Sequence, residues 1–103
     1  MKIGIMGGTF DPIHNGHLMI GRAALEAFGL DRVWYMPNGN PPHKDSSSIE
    51  TDVHDRVEMV RLAISSCREF RLEPYEAKRR EVSYSYSTME YFRGIYPEDD
   101  FYF

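Results

Sequence analysis

Two histidines three residues apart, His14 and His17, close the stretch GGTFDPIHNGH at residues 7–17. A spacing of three puts both side chains near one face if the segment is helical. Neutral imidazole carries one N–H donor, so such a pair can meet phosphoryl oxygens with two hydrogen bonds. Ahead of them, Gly7 and Gly8 lack Cβ atoms, which lets the chain turn sharply and an anion approach the amides around Gly8, Thr9 and Phe10. A helix beginning near His17 would aim its unpaired amides and positive dipole end at the same place. These features read as an anion site. The spacing is neither the dinucleotide-binding G-x-G-x-x-G nor a phosphate loop ending in G-K-[ST]. Two other readings stand beside it. Paired histidines ligate metals, although no third ligand is evident nearby and Cys67 is remote in the sequence. Alternatively Asp11, Thr9 or Asn15 caps the helix and the histidines lie in solvent.

The elements that must hold this stretch follow from hydrophobic periodicity. KIGIM at 2–6 is a short apolar run suited to a strand buried on both faces. HLMIGRAALEAFGL at 17–30 spaces Leu18, Ile20, Ala24, Leu25 and Phe28 as a helix would, and Gly29 supplies the stop. RVWYMP at 32–37 is a second strand, ended by proline. Residues 38–51, NGNPPHKDSSSIET, form a long polar loop. A second helix spans 52–67, with Val53, Val57, Val60, Leu62, Ala63 and Ile64 as its apolar stripe and Arg56 and Arg61 as solvated charges. Residues 70–73 form a third strand, 86–96 a third helix closed by Pro97, and DDFYF the first residues of a fourth strand. In the aromatic tail, Tyr91, Phe92, Phe101, Tyr102 and Phe103 read as core packing. Strand and helix alternate throughout, so the fold class is α/β with a parallel sheet covered by helices. In a doubly wound sheet of this kind ligands bind at the carboxyl ends of the strands, where GGTFDPIHNGH lies.

A chain of 103 residues, 1–103, is one domain. Its net charge of −4, with no basic run longer than Lys78-Arg79-Arg80, argues against nucleic acid or anionic membrane as a partner. Phosphate would have to be handled locally, by loop amides and a few placed cations. A single cysteine excludes an internal disulfide and fits a reducing cytoplasm. No apolar run approaches the roughly 20 residues of a membrane span, and the N-terminus lacks the apolar core of a signal peptide. A fourth strand of three residues makes a poor sheet edge, so the fold is expected to be incomplete at its C-terminus, the front part of a longer one. That edge also favours a homo-oligomer. A small complete domain with a frayed end is the alternative.

GTFDPIHNGH resembles the (H/T)xGH signature of the nucleotidyltransferase α/β superfamily, and GGTFDPxHxGH is the wording of the nicotinate-nucleotide adenylyltransferases. Relatives that make dephospho-coenzyme A usually have Thr in place of His14, typically preceded by GSFDP. The likeness continues through VWYMPNGNPPHK, DRVEMVRLAI and SYSYSTMEYF, and so covers essentially the whole chain. It implies a Rossmann-like doubly wound parallel sheet, the nucleotidyltransferase fold. The implied reaction moves the adenylyl group of ATP to nicotinate mononucleotide, with Mg²⁺ accompanying ATP. His14, His17 and Lys44 would be catalytic. Gly7, Gly8, Thr9, Phe10, His14, Gly16 and His17 would bind ATP and phosphate, Gly16 leaving room for the adenosine. Asn38, Gly39, Lys44, Tyr84 and Ser85 would bind the mononucleotide, with His43 beside Lys44 a less central candidate. No metal is assigned to protein ligands.

Two departures qualify that picture. The family's second phosphate signature, ISSTxIR, is matched only by Ile64-Ser65-Ser66-Cys67-Arg68, which lies too early and reads as a helix end. The family's continuation past strand four, with a Gly-x-Asp-Ser turn and a tryptophan that stacks on the pyridine ring, finds no match in these residues; within the matched part, Ser85 and Ser87 stand where the family usually has Thr and often has Asp. Another nucleotidyltransferase acting on a different phosphorylated small molecule is therefore one alternative. A truncated nucleotide-binding fragment without turnover is another.

Overall fold

The computed structural model describes residues 1–10, 12–39, 53–78 and 85–102, with the backbone only at 85 and 86. Chain order runs β1 (Lys2–Gly8), α1 (Asn15–Phe28), β2 (Arg32–Pro37), α2 (Val53–Ile64), β3 (Phe70–Leu72), α3 (Ser85–Ile95) and β4 (Asp100–Tyr102). The four strands form one sheet in the order β3-β2-β1-β4. Every pairing is parallel. The α/β alternation read from sequence thus becomes a doubly wound parallel sheet, with the strand order reversing at β1.

Strand alternation sorts the core into two layers. Val33 and Tyr35 of β2 join Phe10, Phe70, and Val60 and Ile64 of α2 on one face, with Leu18 and Leu25 of α1 packed against them. Ile3 and Ile5 of β1 join Trp34, Met36, Phe101 and Phe92 of α3 on the other. Trp34 takes three rings edge-on there, Phe92, Tyr96 and Phe101, with centroids 5.3, 5.5 and 5.4 Å away. Both faces are covered by helices, as a parallel sheet requires.

Several boundaries and burials differ from the expectations. β1 runs on to Gly8 rather than ending at Met6, because β2 supplies partners that far: Gly7 faces Met36 and Gly8 faces Pro37. The turn therefore starts at Thr9. α1 starts at Asn15, earlier than expected, and its C-cap Gly29 takes the left-handed conformation at φ 62° with its N–H donating to Leu25 O. α2 ends at Ile64, short of Cys67. Leu62 does not join the apolar stripe and is 63% exposed. Ile20 and Phe28, expected on the buried face of α1, are 60% and 68% exposed. With Ala24 they line a cleft of about 340 Å³ whose floor includes Gly4, Met6, Val33 and Tyr102. In the aromatic tail Phe92 and Phe101 are buried while Tyr91 and Tyr102 are exposed; Phe103 lies outside the described residues.

α1 approaches the sheet closely at Gly21, where a Cβ would collide with the Tyr35 hydroxyl. That contact lets the Tyr35 hydroxyl donate to His17 O at 3.0 Å, one turn earlier in α1. Gly21→Ala should gain about 1 kcal/mol in helix propensity. It should lose more through overpacking, about 1–3 kcal/mol, and through the displaced hydrogen bond. A net destabilisation of about 1–2 kcal/mol is expected in urea unfolding, with an unchanged slope.

Candidate active site

The carboxyl end of β1, between β2 and β4, is the point where strand order reverses and crevices open in such sheets. Here the chain leaves Gly8 through Thr9 into Phe10, which adopts φ 50°. A left-handed conformation at a bulky residue costs roughly 1–3 kcal/mol and persists only where its surroundings enforce it. Burial of the ring enforces it. Phe10 is 3% exposed, and a Cβ on Gly8 would stand 3.4 Å from its ring. The ring meets Tyr35 at 5.9 Å and presents itself edge-to-face to His17 at 5.0 Å. Phe10 thereby turns the backbone and supports the second histidine.

His14 is not a solvated bystander to a cap made by Asp11, Thr9 or Asn15; it is the N-cap of α1 itself, with extended backbone at φ −142° and ψ 176°. Its Nδ1 accepts from the Gly16 N–H at 3.0 Å. Reciprocally, His17 Nδ1 accepts from the His14 N–H at 3.1 Å. This is the geometry of a capping box, ordinarily made by Ser or Thr with Glu or Gln three residues on. Two imidazoles differ from those side chains in one respect. Once Nδ1 accepts, the neutral ring carries its proton on Nε2, leaving a second nitrogen free to donate elsewhere. The rings lie 4.0 Å apart and 35° from parallel, so both Nε2–H donors belong to one helix N-terminus.

Electrostatics favour the same protonation state. Burial, then the neighbouring His14, hold the His17 pKa below its usual 6.5. Burial pushes the Tyr35 hydroxyl up to about 12, so it remains the donor that anchors His17 O. Gly16 serves the cap as well. A Cβ there would stand 2.8 Å from His14 Cε1 and 2.9 Å from Nδ1, so the missing side chain is room for the imidazole.

Arg56, expected in solvent, is 0% exposed. From α2 its Nη1 donates to Thr9 O at 2.8 Å and Asn38 O at 3.0 Å. Asn38 N–H donates in turn to Gly8 O at 2.9 Å. The exits of β1 and β2 are thus laced together, which puts Asn38 and Gly39 at the rim that carries the histidines. The sequence held one signal for this. Arg56 sits three residues after Val53 and four before Val60, within the apolar stripe. Arg61 is exposed and pairs with Glu58 at 2.6 Å.

Lys44, His43, Tyr84 and Asp11 lie outside the described residues. Ser85 begins α3. Ser65 and Ser66 lie in the turn between α2 and β3, at the amino end of that strand and so opposite the histidine rim; Ser65 Oγ donates to Leu62 O at 2.8 Å. Among the described residues no three His, Cys, Asp or Glu side chains stand close enough to hold a metal ion.

The cap makes two predictions. His14→Ala should destabilise the fold by about 0.5–2 kcal/mol, the usual worth of an N-cap, as read from thermal or urea unfolding. His17 binds its proton less readily folded than unfolded, so its contribution is full above pH 6.5 and is lost as the pH falls through its lower native pKa. His17→Gln should keep the reciprocal bond while abolishing that titration. Stability measured against pH should then decline less steeply below 6.5 in the variant than in the parent.

The sequence profile of the cytidylyltransferase-like family matches residues 5–101. The chain is 48% identical over 102 residues to a probable nicotinate-nucleotide adenylyltransferase of Bacillus licheniformis, covering 99% of this chain and 53% of that protein. Nicotinate-nucleotide adenylyltransferase of Bacillus subtilis shows the same identity and coverage. The chain therefore spans about half the length of the curated relatives it matches. Plasmodium falciparum nicotinic acid mononucleotide adenylyltransferase complexed with NaAD superposes with a TM-score of 0.80 at 23% identity, over 99% of this chain and 50% of that one, and so shares the fold. With its β1 exit, two-histidine helix start and parallel sheet, the chain belongs to the cytidylyltransferase-like family.

Proposed function

We propose that this chain acts as part of a nicotinate-nucleotide adenylyltransferase, which transfers the adenylyl group of ATP to nicotinate mononucleotide and releases pyrophosphate. The reciprocal histidine cap carries the reading. A cap alone needs only Ser or Thr with Glu or Gln, whereas imidazoles at both positions add two further N–H donors, one on each Nε2, beside the amides of a helix N-terminus. That is an arrangement for phosphoryl oxygens. The names of the relatives supply the substrate pair.

In the reaction a phosphate oxygen of the mononucleotide attacks the α-phosphorus of ATP. The bond from that phosphorus to the bridging oxygen breaks, and pyrophosphate leaves with the electron pair. With a second pKa near 6, the attacking phosphate is already largely ionised at neutral pH, so no general base is required. Catalysis then consists of aligning two anions and offsetting charge as it moves toward the leaving group. His14 and His17 donate from Nε2 to the triphosphate, and the backbone from Gly8 to Phe10 receives phosphate oxygens. Lys44 supplies a point charge to a phosphate, and His43 is a less central candidate for the same task. Asn38, Gly39, Tyr84 and Ser85 face the mononucleotide. Magnesium would accompany ATP as part of the substrate and offset triphosphate charge, and the setting is the cytoplasm.

Pyrophosphate release from ATP with nicotinate mononucleotide, measured beside calorimetric ATP binding, tests this reading. His14→Ala and His17→Gln should each lower turnover by about 10²–10³-fold, the cost of removing one transition-state donor. Turnover only with an acceptor lacking a pyridine ring would contradict the substrate assignment. ATP binding without pyrophosphate release would favour a nucleotide-binding piece, a reading to which the half-length match to the relatives lends weight.

A further inference from the structure

We infer that Arg56 is a positioning residue for the reaction, a buried clasp that fixes the separation between the loop holding ATP and the loop holding the mononucleotide. The inference rests on the adenylyl-transfer reading and extends it to a residue on α2.

The geometry supports this step by step. One nitrogen, Nη1, bears two hydrogens in a plane set by the guanidinium, and each hydrogen goes to a different loop: one to Thr9 O at 2.8 Å, the other to Asn38 O at 3.0 Å. The two carbonyls are therefore held at the spacing of a single rigid NH₂ group. Asn38 N–H to Gly8 O, at 2.9 Å, closes a ring of hydrogen bonds around the two strand exits. Thr9 immediately precedes Phe10, whose left-handed backbone and buried ring bear on His17. A shift in the Thr9 carbonyl would therefore reach both the phosphate-facing amides and the second imidazole.

Full burial of a guanidinium is expensive, and an apolar residue in this stripe would otherwise serve the core. At this position the planar fork bridges the two loops. Lysine would keep the charge but lose the fork.

The test compares the chain with Arg56→Lys and Arg56→Gln, and with Val60→Ala as a destabilised core control on the same helix. Each is assayed by calorimetry with ATP and with nicotinate mononucleotide, below its own unfolding transition. Arg56→Lys should bind ATP about tenfold more weakly, the scale of one charge-assisted hydrogen bond. The amide resonances of Thr9, Phe10 and Asn38 should shift in that variant while those of Ile3 and Ile5 stay in place. Val60→Ala should melt earlier yet retain its affinities to within about twofold. Should Arg56→Gln fail to fold, Arg56→Lys decides alone. Unchanged affinities in folded Arg56→Lys would overturn the clasp and leave the functional reading standing, as would an equal loss in Val60→Ala. A parent chain that binds neither nucleotide would overturn the functional reading and the clasp with it.

Discussion

The first amides of α1 need acceptors, and the side chains that satisfy them are imidazoles. From this the rest of the site follows. Because the helix N-terminus takes one nitrogen of each ring, the tautomer of both rings is set by the fold and not by a ligand. Burial of His17 and the proximity of His14 oppose protonation, which would destroy the acceptor that the backbone uses. Gly16 makes room for one ring, Phe10 supports the other, and Tyr35 holds the carbonyl of His17 from below. The Nε2 hydrogens of both rings are thus placed by the fold itself; on the proposed reading, such preorganisation is the condition for stabilising moving charge without reorganisation.

Much of the fold was legible in the sequence because local and tertiary preferences agree. β2 has the bounds that its β-branched and aromatic run implies, since nothing at Arg32 or Pro37 competes with them. Boundaries were misjudged where a partner decides. Two glycines look like a turn in isolation, yet Gly7 and Gly8 extend β1 because Met36 and Pro37 stand opposite. That the two histidines belong to the start of the first helix, behind the first strand, was also legible from residue types and spacing. What could not be read was that His14 caps the helix, because imidazole is outside the usual capping set and a histidine pair evokes metal or phosphate first.

Arg56 and the outer face of α1 were hidden for a different reason: charge and apolarity are poor guides to burial when tertiary contacts are specific. A guanidinium is normally solvated, and only its place in the stripe between Val53 and Val60 marks it as buried. Conversely Ile20 and Phe28 have the composition of core residues but border an open cleft beside β1 and β4. The chain spans about half the length of its relatives. Within the described residues, the layer formed by α1 and α2 is better packed toward β2 and β3 than toward β4.

The claim on which everything else depends is the protonation pattern of two rings, and nitrogen-resolved NMR of the histidine side chains reads it directly. Long-range proton–nitrogen correlation spectra at neutral pH should show, for both His14 and His17, an unprotonated Nδ1 and a protonated Nε2. A proton on Nδ1 of either ring would contradict the reciprocal cap, because that nitrogen could no longer accept from the backbone.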